Sequence, residues 1–293
     1  MKSYLHITSG DIAGEILTKA SIPGEVFVWH DILYDGPRKP GWPDEKVLEL
    51  RARFLAQTTG GGLDRVFILS SLRDQYATLE WARQYESIVL WFDACLFDQS
   101  MLAHILACMR LKGVRDVELL CVDAFPGIEP FNGLGQLRPE QLVSLFGGRR
   151  RVTEEQFAFA GLVDHAFATQ DSEQFKDLAA MTEAPLPWVP AAVRRWLQER
   201  PDPVTGLGRL EMLVLDVVRG GCESPAEIFT AVAAADTPPQ YWGDITLWAK
   251  INGLTDREAP LLTIDGPLPR LPQWQGTADL NQFRIRSVPI VSY

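Results

Sequence analysis

Four short runs of β-forming residues, at 4–7, 26–29, 88–92 and 117–122, are separated by long stretches, most of which repeat apolar residues at helical spacing. That alternation constrains the fold most. Parallel strands need a crossover of a dozen or more residues, which a helix supplies, so the pattern predicts an α/β fold with an open, Rossmann-like, mostly parallel sheet. Ligands of such sheets bind at the carboxyl ends of the strands.

The first of those ends is the most informative. Thr8-Ser9-Gly10-Asp11 breaks the opening run, and Ile12, Ile16, Leu17 and Ala20 then recur at helical spacing. The first amides of such a helix lack partners and carry the positive end of its dipole, which favours a phosphate or carboxylate over Ser9 and Gly10. An alternative is purely local: Ser9 or Asp11 caps the helix and Gly10 makes the turn. The run lacks the full G-x-G-x-x-G or G-x-x-x-x-G-K-[ST] spacing of a specific phosphate loop.

Later strand ends add His30 and Asp31, with Asp35 and Gly36 in the loop that follows, then Asp93 and Asp98, then Asp123. His30 beside Asp31 is the best acid/base candidate, because imidazole titrates near neutrality and a carboxylate orients it. Asp93 completes the catalytic candidates, and Ser9, Gly10, Asp11, Asp35, Gly36 and Asp98 are the ligand-binding ones. The carboxylates Asp11, Asp31, Asp35, Asp93 and Asp98 suit a divalent cation such as Mg²⁺ bridging to substrate phosphate, and each equally suits a turn or a cap. His6, inside a strand, reads as a core histidine, and His104 and His165 as structural. No Ser-His-acid or Cys-His set assembles, and no G-x-S-x-G elbow is present.

Residues 66–69 fit a strand or the start of a helix. From Phe131 onward the strands stop, and helical patterns follow at 139–146, 153–168, 172–181 and 189–199. Arg149-Arg150-Arg151 reads as a solvated linker. Helices at 207–218, 224–235 and 244–253, then strands at 261–264 and 282–285 around a Pro-rich loop with Arg270 and Trp274, have the order of a winged helix. The expected division is a Rossmann-like domain at 1–132, a helical connecting region at 133–205 and a winged-helix-like domain at 206–293.

Composition limits the partners. With 28 Lys and Arg against 38 Asp and Glu, net −10, the chain repels nucleic acid and anionic membrane except where cations cluster. From Gly206 onward, seven Lys or Arg face ten Asp or Glu, and the third helix offers Lys250 alone as a cation, which argues against DNA. Trp242, Ile245, Leu247, Trp248 and Ile251 suit packing, a protein partner or a homo-oligomer through this domain. Cys95, Cys108, Cys121 and Cys222 lie in apolar surroundings without a C-x-x-C pair and read as reduced core thiols of a cytoplasmic protein. No apolar run reaches the roughly twenty residues that span a bilayer.

The motifs His6-Ile7-Thr8-Ser9-Gly10-Asp11, Asp31-Ile32-Leu33 with Asp35-Gly36-Pro37, Leu90-Trp91-Phe92 with Asp98-Gln99, Phe125-Pro126-Gly127, Gly133-Leu134-Gly135-Gln136-Leu137 and Trp242-Gly243-Asp244 occur in that order. In this the chain resembles, over nearly its whole length, a bacterial domain-of-unknown-function family, number eighteen thirty-five. Ile12 stands where members of that family commonly carry Ser. The resemblance implies a two-part architecture and no activity. Two functions follow from the residues. One is a domain that binds, and acts on, a small phosphorylated or nucleotide-like ligand at the strand-end edge. The other is a winged-helix regulatory or DNA-binding protein whose α/β part senses an effector.

Overall fold

The computed structural model describes residues 2–60, 62–273 and 278–289; Gly61, Trp274 of the Pro-rich loop and Tyr293 lie outside them. The α/β expectation holds. The elements β1 (Lys2–Ser9), α1 (Asp11–Lys19), β2 (Glu25–Trp29), α2 (Glu45–Thr58), α3 (Arg65–Trp81), β3 (Tyr85–Asp93), α4 (Leu96–Leu111) and β4 (Val117–Val122) follow one another in the first part. They form a sheet of order β2-β1-β3-β4 in which every pairing is parallel. Ile7 pairs with Phe27 on one side and Leu90 on the other, and Leu90 pairs with Leu119, so one apolar row crosses the sheet. The next row, Val28, Thr8, Trp91 and Leu120, points to the opposite face.

Each face has its own cover. Ala13 and Leu17 of α1, with Phe131, Leu134 and Leu142 of α5 (Pro139–Phe146), pack on Val89, Trp91, Leu120 and Val122. The other face meets α2, α3 and α4. Residues 96 and 98–109 of α4 are all buried, because the helix lies between the sheet and two further helices, α6 (Glu154–Thr169) and α8 (Val189–Glu199). A helix apolar nearly all round must sit in such a middle layer.

One open reading is settled here and two others are corrected. Residues 66–69 begin α3: the Asp64 side chain caps it, Val66 and Phe67 are exposed, and Ile68, Leu72 and Leu79 recur on its buried side. Arg149-Arg150-Arg151 is no free linker, and the strands do not stop at Phe131. Arg150–Arg151 forms β5, antiparallel to β4 at the sheet edge, with Arg149 paired to Glu118 and Arg151 to Asp116. Two residues are too short a strand to leave a periodic signal.

The last part holds α9 (Arg209–Arg219), α10 (Pro225–Ala235), α11 (Asp244–Thr255), β6 (Leu262–Asp265) and β7 (Arg284–Ser287), the two strands pairing antiparallel. A continuous apolar cluster joins it to the rest, running from Leu5 through α4, α6 and α8 to Ile285. Among the described residues, no helix is long and apolar enough to cross a membrane.

A buried polar knot fastens α6 to the first layer. Asp164 of α6 accepts from Arg38 and from the backbone amide of Gly41 at 2.6 Å, and it lies 2.8 Å from Nδ1 of His104, whose Nε2 is 2.7 Å from the Tyr76 hydroxyl. Burial and the two nearby guanidinium groups hold the His104 imidazole well below its usual pKa. Removing one partner of a buried ion pair strands the other. Asp164→Ala should therefore cost about 3–5 kcal/mol in urea unfolding, against less than about 0.5 kcal/mol for exposed Glu173→Ala.

Candidate functional site

β1 leads through α1 to β2 on one side of it, and β3 then pairs on its other side. The carboxyl ends of β1 and β3 therefore flank the point where strand order reverses, the usual binding crevice of an open α/β sheet. Ser9 ends β1, Gly10 follows, and Asp11 opens α1. Gly10 has φ 71, a conformation that favours glycine, and a Cβ built there would meet no atom within 4 Å. The space above it is open.

Neither Ser9 nor Asp11 caps α1, contrary to the local alternative; the helix has no side-chain cap. The Ser9 hydroxyl instead donates to Asp98. Asp11 is exposed, and its carboxylate lies 2.7 Å from Nε2 of His30, which is also exposed. The backbone amide of His30 is held by the buried side-chain carbonyl of Gln75 at 2.5 Å. An imidazole and a carboxylate thus stand beside uncapped helix amides.

Beneath them lies a buried carboxylate pair. Asp98, in the first turn of α4, accepts from the Ser9 hydroxyl with one oxygen and from the Asp93 backbone amide, 2.6 Å away, with the other. Asp93 accepts the Cys95 amide at 2.8 Å, and its main-chain carbonyl receives the Gln99 side-chain amide at 2.6 Å. Burial pushes the Asp93 carboxyl up from 3.8 to about 6, against hydrogen bonds from Cys95 and from the Leu134 amide. Burial, and then the neighbouring Asp93, raises Asp98 well above the ordinary carboxylate range. Gly133 closes over this pair with φ 134; a Cβ there would collide with the Asp93 carboxylate, so the turn requires glycine.

Asp93, Cys95 and Asp98 bring one ligand atom each within 4.8 Å of one another. This set does not suit the Mg²⁺ expected from the strand-end acids. Mg²⁺ takes oxygen ligands in near-octahedral array, whereas burial and the two carboxylates keep the Cys95 thiol protonated, and both Asp98 oxygens already accept hydrogen bonds.

The remaining predicted residues lie at the β2 end. Asp31 is buried and ion-paired with Arg51 of α2, and it also accepts the Ile32 amide at 2.7 Å. An acid at that place, about twenty residues after the glycine turn, contacts the ribose in dinucleotide sites. Here the fold consumes it. Asp35 is exposed and accepts the amide of Gly36 at 2.7 Å, a turn that the Phe54 ring backs. The structure thus joins Ser9, Asp93 and Asp98 by one hydrogen-bonded set and Asp11 with His30 by another, while Asp31, Asp35 and Gly36 belong to the loop that Arg51 organises. Asp123 accepts from the Trp188 indole at 3.0 Å. His6 is the core histidine expected: the Trp91 indole donates to its Nδ1 at 3.1 Å, and its Nε2 donates to the Pro23 carbonyl at 3.0 Å.

Arg51, Gln75, Cys95 and Gln99 were not legible as site residues. Arg51 and Gln75 occupy ordinary positions on amphipathic helices, and only their burial marks them. Glycine at 133 was a visible signal, but its reason, the Asp93 carboxylate, was not. Compared with protein-family models and with curated proteins, the sequence finds no match.

The raised Asp93 sets a pH dependence. The folded protein keeps a proton there that the unfolded chain releases, so this stabilisation is complete below about pH 4 and is lost as pH rises through about 6. Asp93→Asn does not titrate. Between pH 4 and pH 7 the stability of the wild type, measured by urea unfolding against this variant, should fall by on the order of 2–3 kcal/mol. A constant difference over that range would show that Asp93 is not held above its ordinary value.

Proposed function

We propose that this chain binds, and acts on, a small phosphorylated or nucleotide-like ligand at the carboxyl edge of a Rossmann-like sheet, with the anionic group over Gly10. The observation that carries this is the uncapped N-terminus of α1 at the strand-order reversal, with open space above Gly10 and the Asp11–His30 pair exposed beside it. Free amides and the helix dipole bind the anion. His30, oriented by Asp11, is the group placed to move a proton on the bound molecule. Asp93 and Asp98, occupied by Ser9 and by backbone amides, shape the crevice floor. On this reading the chain stays with the bacterial family it resembles, as a cytoplasmic protein.

A second reading rests on the order of α9, α10, α11, β6 and β7, which is that of a winged helix. It favours a protein-binding regulator over a DNA-binding one. Leu247, Trp248, Ile251 and Leu254 of α11 are buried, Lys250 lies 3.8 Å from Glu211, Arg270 is paired with Asp256 and Arg286 with Glu223. A helix that reads a groove needs an exposed face and unpaired cations.

The test is thermal unfolding with inorganic phosphate, ribose 5-phosphate, AMP and ATP, each titrated. A binder at a hundred times its Kd adds about 2.7 kcal/mol, roughly 5 °C or more for a chain of this size. Gly10→Val should abolish the shift, because it fills the open space and strains the turn. Ile12→Glu, at an exposed first-turn position, keeps the fold and should weaken binding by placing a negative charge against the phosphate. His30→Gln should leave binding within a few-fold and lower any turnover. If no anion gives a saturable shift, or if Ile12→Glu and Gly10→Val bind as well as the wild type, the proposed site is wrong.

A further inference from the structure

One short segment, residues 131–137 between β4 and α5, covers the acid pair at the carboxyl end of β3. Gly133 stands against the Asp93 carboxylate, the Leu134 amide donates to that carboxylate, and a Cβ on Gly135 would lie 3.4 Å from the Ile12 side chain. The segment thus bridges Asp93 to the first turn of α1, beside Gly10. Within itself it is a closed turn. The Asn132 amide donates to the Gln136 side chain at 2.5 Å, and the amides of Gln136 and Leu137 donate to the carbonyls of Gly133 and Leu134 at 3.1 and 3.0 Å. Such a turn can lift as a unit, giving up its bond to Asp93 and the burial of Leu134.

What lies beneath gives it a reason to lift. Asp93 and Asp98 are buried with carboxylate atoms within 4.8 Å of each other, and among the described residues no Lys, Arg or His is paired with either. Two carboxyls so close in a dry site do not both ionise at ordinary pH. Their neighbours supply no positive charge. Burial and these same acids push up the thiols of Cys95, from α4, and Cys121, from β4; Ser9 and residues 131–137 carry no titratable side chain, and Asp11 on α1 is turned to His30. An ionised Asp93 is therefore stabilised chiefly by water, and at Gly133 the cover is a single backbone thick. We propose that residues 131–137 form a gate over the crevice, closed while Asp93 holds its proton and opening as that proton leaves. Burial, outweighing the bonds from Cys95 and Leu134, holds Asp93 up at about 6, and water returns it toward 3.8. The closed form thus binds the proton more tightly, so closure is favoured below about pH 4 and weakens as pH rises through about 6. The consequence for an anion over Gly10 rests on the function proposed above; the gate does not.

The test is hydrogen exchange on the full chain, read by mass spectrometry over residues 131–137 and expressed as protection after correction for the intrinsic rate at each pH. Protection should fall roughly tenfold between pH 5 and pH 7, the ratio set by a group at about 6 when closed and 3.8 when open. That fall should be the same in 1 M urea, because local opening exposes little surface, whereas global unfolding is steeply urea-dependent. Asp93→Asn should keep protection within about twofold over the same range. Gly133→Ala sets a Cβ against the Asp93 carboxylate and should lower protection at both pH values while the β3 amides stay protected. Wild-type protection that does not change with pH, a fall that persists in Asp93→Asn, or one that grows with urea in step with β3 overturns the gate. Inorganic phosphate binding is scored separately: if the gate opens and phosphate still gives no saturable thermal shift, the ligand reading fails and the gate stands.

Discussion

The carboxylate of Asp98 holds the centre of this molecule. One oxygen takes the Ser9 hydroxyl at the end of β1, and the other takes the Asp93 amide at the end of β3, so the two strands that flank the reversal of strand order are tied at their carboxyl ends. A buried carboxylate is costly unless hydrogen-bonded, and here both oxygens are satisfied. The N-cap of α1 is Gly10, which has no side chain to offer, and Ser9 before it turns its hydroxyl to Asp98, so the first amides are left to solvent or a ligand.

A second pair of buried charges shapes the mouth. The connection from β2 to α2, residues 30–44, is long for a structureless loop and would ordinarily lie on the surface. Arg51 reaches into it from α2, bonding Asp31 and the carbonyls of Ile32 and Asp35, and Arg38 bonds the Leu33 carbonyl and Asp164. Backbone groups that would otherwise need water are paired with guanidinium donors. The loop is thereby fixed, and His30 at its start keeps one place beside Asp11.

This separates what was legible in the sequence from what was not. The mostly parallel sheet was legible because crossover length and helical periodicity are local properties of 4–7, 26–29, 88–92 and 117–122 and of the residues between them. The acids at the strand ends were legible as a set, but their roles were not. Asp31 and Asp93 look alike beside apolar runs, yet one is ion-paired with a residue 20 positions away and the other accepts from the amide of nearby Cys95 and from that of Leu134, under the Gly133 turn. Ser9 finds Asp98 across 89 positions, and Arg38 finds Asp164 across 126. Spacing carries no trace of such pairings. His6 was legible because a histidine inside a buried strand has few choices beyond a neighbouring carbonyl and an indole.

Burial thus sorts the acids of this chain by function. Asp31, Asp98 and Asp164 are enclosed and satisfied, so their free energy goes into holding strand ends, loop and helix layer together. Asp11 and Asp244 stay at the surface, each at the opening of a helix, yet their settings differ. Beside Asp11 stand an imidazole and uncapped amides, a mixed field in which an anion and a proton donor can meet. Beside Asp244 stand the Phe229 and Trp248 rings, and an adjoining hollow holds Glu227 together with Arg284. In a strongly acidic chain, an anion is favoured only where backbone amides outweigh the side-chain charge, and the start of α1 is such a place.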